Sequence, residues 1–433
     1  MKKIVSMLLC LVMTVLLLVS CGEEEIGAYR KNYTYVPPTV EEVTLEMYIV
    51  GDTRSDENAV TAVSRMIKQY TETTFKTSLN MHYLSAEDYR AEVDTVLAEN
   101  EKFAAAYATL TTALSNVTGE DAVIDDELKA ALPEIKEAVA KIGADASSAK
   151  DTAIQTTVGK IVDADVIAAL SGNRKIDILL VNSAEMMNDL TAGEKLLELT
   201  DYYKMKEYGM LNTKITPLLL DASKCGGKYY SVPNNRMTGS YDYLLMKESM
   251  GEKYNFGPLL MASYKSYEET EELRRAIIEG EGISEENISD YVRVVNGTYA
   301  DRFNYEEVGY ICNTIAYHTP TYEDVYNGSA LAISAGCTRP NRAMEIVYAI
   351  NQDETLRNLL QYGVANVNYT LSEGDTVTRI TSQGNSYFMN PYYTGNIFNA
   401  YYSADDADGW NKVIAKYAKV QNEDIENYKK QNP

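Results

Sequence analysis

Two histidines, three cysteines beyond Cys21, one acidic run and a lopsided aromatic set are the side chains of this chain that could carry chemistry. His82 and His318 lie far apart, and His82 falls in a stretch that alternates like a strand, where an imidazole serves packing and hydrogen bonding. Cys225, Cys312 and Cys337 have neither CxxC nor zinc-ligand spacing, and three thiols cannot all pair within one chain. One disulfide stays open; small buried or half-buried thiols are the expectation. Asp405-Asp406-Ala407-Asp408-Gly409 lacks the alternating ligands and distal glutamate of an EF-hand loop and reads as a solvated turn. No nucleophile–base–acid set stands out, so the expectation is a protein that is not an enzyme and uses no cofactor or metal. Aromatic rings can lie against the C–H faces of a ligand, while planar amides and carboxylates meet hydroxyls. With 35 tyrosines and 6 phenylalanines against the single Trp410, any stacking platform is mostly tyrosine.

The elements that must position such groups alternate between strand and helix. Leu45, Met47 and Ile49 share one face of a strand over Val43–Val50, and Ser55 is placed to cap a helix carrying Val60, Val63, Ile67 and Tyr70. Leu79, Met81 and Tyr83 mark a second strand, Ser85 with Asp88 resembles a capping box, and Ile176–Val181 is a buried parallel-type strand. The order predicts a doubly wound α/β sheet. Ligands of open α/β sheets meet the carboxyl ends of strands. That rule selects Asp52, Thr53 and Arg54 after the first strand, Asn182 and Ser183 after the third, and Asn234, Asn235 and Arg236 after Ser231-Val232-Pro233. Helix capping competes for Asn182 and Ser183, and turn chemistry for Asn234. Tyr241, Tyr392 and Tyr393 are the candidate stacking tyrosines, with core packing as the competing role.

An alanine-rich stretch of about residues 100–173 interrupts the alternation and reads as an inserted helical segment, with Pro133 starting a helix that Gly143 ends. Past Lys228 the texture turns to strands and aromatics; helical-looking stretches run from Ser266 to Tyr291, a strand follows at Leu331–Ser334, and Pro340 opens a helix. A last helix is expected around Trp410, Val413, Ile414 and Tyr417, where Trp410 packs in the core. At the amino terminus Lys2-Lys3, an apolar run and Leu18-Val19-Ser20-Cys21 form an export signal whose end resembles the lipobox of bacterial lipoproteins. Residues 21–40, with Glu23-Glu24-Glu25 and Pro37-Pro38, read as a tether. The formal charge of −23 becomes −25 when Lys2 and Lys3 are removed, a field that repels nucleic acid and anionic head groups. A chain of 433 residues calls for two domains.

Four stretches together resemble the extracellular solute-binding lipoproteins of ABC transporters, in the carbohydrate-type, maltose-binding-protein-like group. They are the lipobox with its leash, the first two strand–helix units to Tyr89, and Lys175-Ile176-Asp177-Ile178 continuing through Gly193–Tyr202 to Gly227-Lys228-Tyr229-Tyr230-Ser231-Val232-Pro233. The fourth is Ala332-Ile333-Ser334-Ala335 with Pro340-Asn341-Arg342-Ala343. The helical insertion and a short second lobe depart from the group's pattern. The resemblance implies a two-lobed periplasmic-binding-protein-like fold with hinge crossings near Asn234–Met237, Ser329–Leu331 and Thr376–Ile380. It implies a signal peptide over 1–20, a lobe of 41–235 plus 331–376, and a second of 236–330 plus 377–433. It further implies a monomer anchored through acylated Cys21 on the outer face of the cell membrane. Such a protein closes on a sugar or oligosaccharide and presents it to an ABC permease. A peptide or other polar solute, or a scaffold role, are the alternatives.

Overall fold

The computed structural model describes residues 41–209, 215, 217–253, 267–299, 301–372 and 376–403. Its strands are β1 (Val43–Val50), β2 (Thr77–Leu84), β3 (Ile178–Val181), β4 (Ser231–Pro233), β5 (Ser240–Lys247), β6 (Val292–Gly297), β7 (Tyr310–His318), β8 (Ala330–Ile333), β9 (Tyr369–Ser372), β10 (Thr376–Arg379) and β11 (Tyr402–Ser403). Helices include α1 (Glu57–Phe75), α2 (Tyr89–Thr118), α3 (Asp126–Ala144), α4 (Thr152–Val158), α5 (Ala164–Gly172) and α6 (Ala184–Ala192). Further along come α7 (Tyr267–Glu281), α8 (Asp301–Glu307), α9 (Pro340–Gln352) and α10 (Glu354–Tyr362). The fold is α/β and divides into two compact units, residues 41–236 with 325–403 and residues 237–324.

In the larger unit the sheet order is β2-β1-β3-β8-β4. β1 runs parallel to β2 and to β3, while β8 lies antiparallel to both β3 and β4. Four strands therefore aim their carboxyl ends at one edge, where β8 begins. The apolar content of these segments explains their place: Leu45, Met47, Ile49, Ile178–Val181 and Ala330–Ile333 are all buried. Tyr89 ties β1 to β3, its hydroxyl accepting the Leu180 N–H at 2.9 Å and reaching the carbonyls of Leu180 and Tyr48 at 2.7 and 3.1 Å.

Ser85 and Asp88 form one half of the expected box just ahead of α2, the Asp88 N–H donating to Ser85 Oγ at 3.0 Å, while the carboxylate takes the Ser85 hydroxyl at 2.6 Å and Asp88 itself holds the cap position. The helix runs 30 residues, past the expected boundary near Asn100. Its second half joins α3, α4 and α5 around a separate core of Phe103, Leu110, Ile135, Val139, Ile142 and Leu170. The expected helix start at Pro133 is corrected: α3 begins at Asp126, and Asp125 caps it by accepting the Leu128 N–H at 2.7 Å. The cap and the helix formers around Ala130-Ala131 outweigh the one backbone bond that Pro133 forfeits mid-helix. Arg174 closes the segment by forking the carboxylate of Glu99 on α2 at 2.8 and 2.9 Å and pairing with Glu92. The Arg174 hydrogen bond holds the Glu99 carboxyl down at about 2.

Ser55 does not cap α1. Its hydroxyl donates to the Phe388 carbonyl and accepts the Phe388 N–H, both at 2.9 Å. Asp56 occupies the cap position and accepts the N–H groups of Gly384 and Ser386 at 2.9 and 3.0 Å. Residues 377–403, expected in the other lobe, are thereby strapped to the larger unit. The chain passes between the units at 236–237 and 324–325.

The smaller unit is an antiparallel sheet of order β6-β5-β7, with a bulge opposite Asp242 and Tyr243. One face packs Leu244, Met246, Val292 and Ile315 beneath Leu273 and Ile277 of α7. The helical expectation for Ser266–Tyr291 is met by α7 followed by a short 3-10 turn at Glu285–Asp290. β6 and β7, which the sequence reading did not assign, complete the sheet. Cys225, Cys312 and Cys337 are free thiols. Among the described residues no helix is long and apolar enough to cross a membrane. The expected leader, Cys21, the expected tether, Asp405–Gly409 and the helix expected around Trp410 lie outside the described residues.

Candidate functional site

The site is built on the edge of the larger sheet where β1, β3 and β4 end and β8 begins. After β1, Asp52 accepts the backbone N–H of Arg54 at 2.9 Å and its guanidinium at 2.9 and 2.6 Å. That side-chain hydrogen bond holds the Asp52 carboxyl below its ordinary range despite partial burial. The Arg54 guanidinium lies 4.6 Å from the centroid of Phe388, and Arg379 lies 4.8 Å from the same ring. Thr53, between them, is exposed.

After β3, Asn182 is half-buried, and Ser183 caps α6 by accepting the Met186 N–H at 3.1 Å. Capping is therefore what the Ser183 hydroxyl does in this structure.

After β4 the chain makes the densest polar junction of the edge. The buried Asn234 amide donates to Ser329 Oγ at 2.8 Å and to the Tyr392 carbonyl at 2.9 Å, while Ser329 Oγ donates to the same carbonyl at 2.5 Å. Asn235 is fully buried, its amide 3.3 Å from Asn396 Oδ1 and its carbonyl accepting the Ile397 N–H at 3.0 Å. Arg236 is half-buried, donates to the Val325 carbonyl at 3.2 Å and lies 5.7 Å from the Tyr392 ring centroid. A Cβ on Gly328 would fall 1.3 Å from Arg236 Nη1, so only glycine leaves room for the guanidinium there. Ser329 has φ +87°, a left-handed conformation that costs a non-glycine residue about 1–3 kcal/mol. Its two side-chain bonds offset that strain and hold the start of β8 against the 391–396 loop.

Tyr392 and Tyr393 are half-buried on that loop. Burial pushes the Tyr89 phenol far above its ordinary value, so it acts as a neutral hydrogen-bonding strut. The loop itself is fixed from below by Arg357 of α10, whose guanidinium donates to the carbonyls of Pro391 and Asn396, each at 3.1 Å.

The edge thus brings together the three loop groups selected from sequence and the Tyr392–Tyr393 loop, all within one unit. Within this set the roles divide. Asp52, Thr53, Arg54, Asn182, Arg236, Tyr392 and Tyr393 have surface left to offer, whereas Asn234 and Asn235 are interior struts. Tyr241 belongs to the smaller unit and is buried against Tyr243, Tyr299 and Tyr317, with ring centroids 5.6, 6.0 and 4.9 Å away. Sequence reasoning missed Ser329, Phe388, Arg379 and Arg357. The turn signal Asn327-Gly328-Ser329 could have pointed to the first; Phe388 reaches the edge through a contact 333 residues long, and Arg379 and Arg357 through the loop that carries it. Chemically, the edge offers guanidinium and amide donors, one ionised carboxylate and several aromatic faces, an assortment suited to recognising a polar, hydroxyl-rich molecule.

No protein-family model matches the chain, and no curated protein sequence matches it either. Among solved structures it is similar to the N-glycan transport solute binding protein NgtS of Streptococcus pneumoniae, at 14% identity and a TM-score of 0.46 over 88% of this chain and 82% of that one. It is also similar to an HMO binding ABC-transporter associated solute binding protein of Bifidobacterium longum infantis, at 9% identity and a TM-score of 0.40 over 88% and 83%. A family 1 extracellular solute-binding protein of Alicyclobacillus acidocaldarius follows at 10% identity and a TM-score of 0.36 over 76% and 78%.

Proposed function

We propose that this protein is the solute-binding component of an ABC importer, tethered to the outer face of the cell membrane through acylated Cys21. Its solute is a neutral sugar or oligosaccharide, captured and released without covalent change. The observation that carries the reading is the edge of the larger sheet, where exposed Thr53 and Arg54 and half-buried Asp52, Asn182 and Arg236 gather, with Arg54 over the Phe388 ring and Arg236 beside that of Tyr392. Strand ends that converge on one edge are where open α/β sheets take ligands. Planar polar groups next to aromatic faces are what a pyranose needs for its hydroxyls and its C–H faces.

The reading assigns the smaller unit the part of a second jaw, with the chain crossings at 236–237 and 324–325 as the hinge. Solute that touches both jaws only when they close shifts the open–closed equilibrium by its differential affinity, and the permease reads the closed form. The leader and Cys21 support the anchor, since each buried methylene of an acyl chain contributes about 0.8 kcal/mol and several chains make attachment effectively permanent.

A melting panel tests the solute class. Maltose, maltotriose, cellobiose, mannobiose, mannotriose and N,N′-diacetylchitobiose are compared with short neutral and charged peptides. Binding at about a hundred times Kd adds about 2.7 kcal/mol, which for a unit of this size raises Tm by about 5 °C. The expected result is such a rise with at least one sugar and none with peptides. A rise with peptides alone would replace the sugar reading by the peptide one.

A further inference from the structure

In the smaller unit β5 begins where β6 and β7 end, at a polar face that none of its packing requires. Gly239 has φ +78°, and a Cβ there would meet the His318 carbonyl and the Tyr317 hydroxyl at 2.6 Å. Only glycine lets the chain enter β5 so close to β7, and that approach sets Ser240 opposite His318 and Asp242 opposite Asn296. Alternation along β5 turns Tyr241 and Tyr243 to one side of the sheet and Ser240, Asp242, Leu244 and Met246 to the other. α7 covers the Leu244–Met246 end of this second face and begins at Tyr267, beside its polar end.

At the polar end Asp242 is the hub. Its Oδ2 accepts the Tyr267 hydroxyl and lies 2.8 Å from His318 Nε2, while Oδ1 accepts Asn296 Nδ2 at 2.8 Å. The same Asn296 amide lies 3.3 Å from Ser240 Oγ. The carboxylate is 14% exposed and the imidazole 49%, and Tyr267 is 51% exposed, one of the few large apolar side chains left open to water among the described residues. Burial pushes the Asp242 carboxyl up, but its donors Tyr267, Asn296 and His318 outweigh that and keep it below the ordinary value.

We infer that Ser240, Asp242, Tyr267, Asn296 and His318 form a carbohydrate-contacting face on the smaller unit, and the inference rests on the sugar-binding reading above. A carboxylate has about four lone-pair positions, and three are occupied here, which leaves one for a solute hydroxyl. His318 keeps its second ring nitrogen, and Asn296 its carbonyl oxygen, for a neighbouring hydroxyl. The open Tyr267 ring supplies the flat surface for a pyranose C–H face. A carboxylate flanked by hydroxyl, imidazole and amide groups and an exposed ring fits vicinal hydroxyls on a neutral ring. This assignment takes Tyr241 out of the contact set and gives its place to the residue after it.

The chain holds two histidines, one within this face and one on β2, so imidazole signals report the face directly. The two Cε1–H signals of the full chain with labelled histidine are assigned by His82→Gln, and the six sugars of the melting panel are the probes, titrated one at a time. For a sugar that raises Tm, the His318 signal is expected to shift with the same midpoint as the melting titration while the His82 signal stays. Asp242→Asn is expected to raise that midpoint at least tenfold, and Tyr267→Phe severalfold. A sugar that raises Tm while His318 stays still and Asp242→Asn leaves the midpoint unchanged overturns the inference and leaves the solute-binding reading standing. A panel in which no sugar raises Tm removes both.

Discussion

Asp177→Ala is expected to destabilise the larger unit by about 3–5 kcal/mol, the cost of stranding a buried charge. Lys175 and Asp177 open the β3 segment, their side chains 4% and 0% exposed and 3.0 Å apart. The other carboxylate oxygen accepts the Glu46 N–H at 3.0 Å, the Lys175 ammonium also donates to Thr338 Oγ1 at 3.0 Å, and the ammonium lies 5.6 Å from the Phe103 ring centroid. Burial pulls the Lys175 ammonium down, yet Asp177, helped by Cys337 and Glu46, offsets that and keeps it above its ordinary value. Without Asp177 the ammonium must deprotonate or the joint must open to water. The joint is where the helical segment, through Phe103 on α2, meets the sheet, through Glu46 on β1. Urea unfolding reads the loss. Adding Lys175→Met to Asp177→Ala is expected to recover most of it, because an apolar side chain tolerates this site where a lone ammonium does not. A single variant that costs less than about 1 kcal/mol, the range of an exposed ion pair, would contradict the account.

The second large effect is expected at Arg357, which is fully buried and makes its hydrogen bonds to neutral acceptors: the Asn396 and Pro391 carbonyls and Gln361 Oε1 at 3.0 Å. Gln361 in turn donates to the Met389 carbonyl at 3.0 Å and accepts the Thr394 hydroxyl at 2.6 Å. Burial lowers the Arg357 guanidinium to about 10, so it remains charged at neutral pH. Arg357→Ala removes three bonds, leaves their acceptors buried and opens a cavity, a loss of about 3–5 kcal/mol. Arg357→Met fills much of the space and isolates the polar part of that loss. Because the freed carbonyls belong to the loop bearing Tyr392 and Tyr393, both variants are expected to weaken sugar binding by about tenfold, equivalent to about 1.4 kcal/mol. Sugar titrations of the folded variants check this; unchanged affinity in Arg357→Ala would separate the loop from the site.

The strands of the larger sheet were legible because burial writes itself into period-two and continuous apolar patterns, as at Leu45-Met47-Ile49 and Ile178–Val181. Parallel strands share a carboxyl edge, so naming the residues after them located Asp52–Arg54, Asn182–Ser183 and Asn234–Arg236 together. What sequence could not reveal is which of those side chains the fold spends on itself. Asn234 meets a carbonyl 158 residues away, and Ser55 trades its capping role for Phe388 across 333 residues. The same long-range straps keep residues 377–403 in the larger unit, where the resemblance placed everything past Thr376 in the other. Tyr241 and Asp242 show the limit at its finest. Alternation says they face opposite sides of β5, but only α7 and the Tyr299–Tyr317 cluster decide which side is closed.

Equilibrium dialysis with mass-spectrometric readout tests the central claim most directly. The full chain is dialysed against the sugar that gives the largest melting shift, and the retained sugar is recovered and weighed. The account predicts one sugar retained per chain and recovered at its original mass. Retention no greater than in buffer, or recovery as shortened or modified sugar, would contradict it.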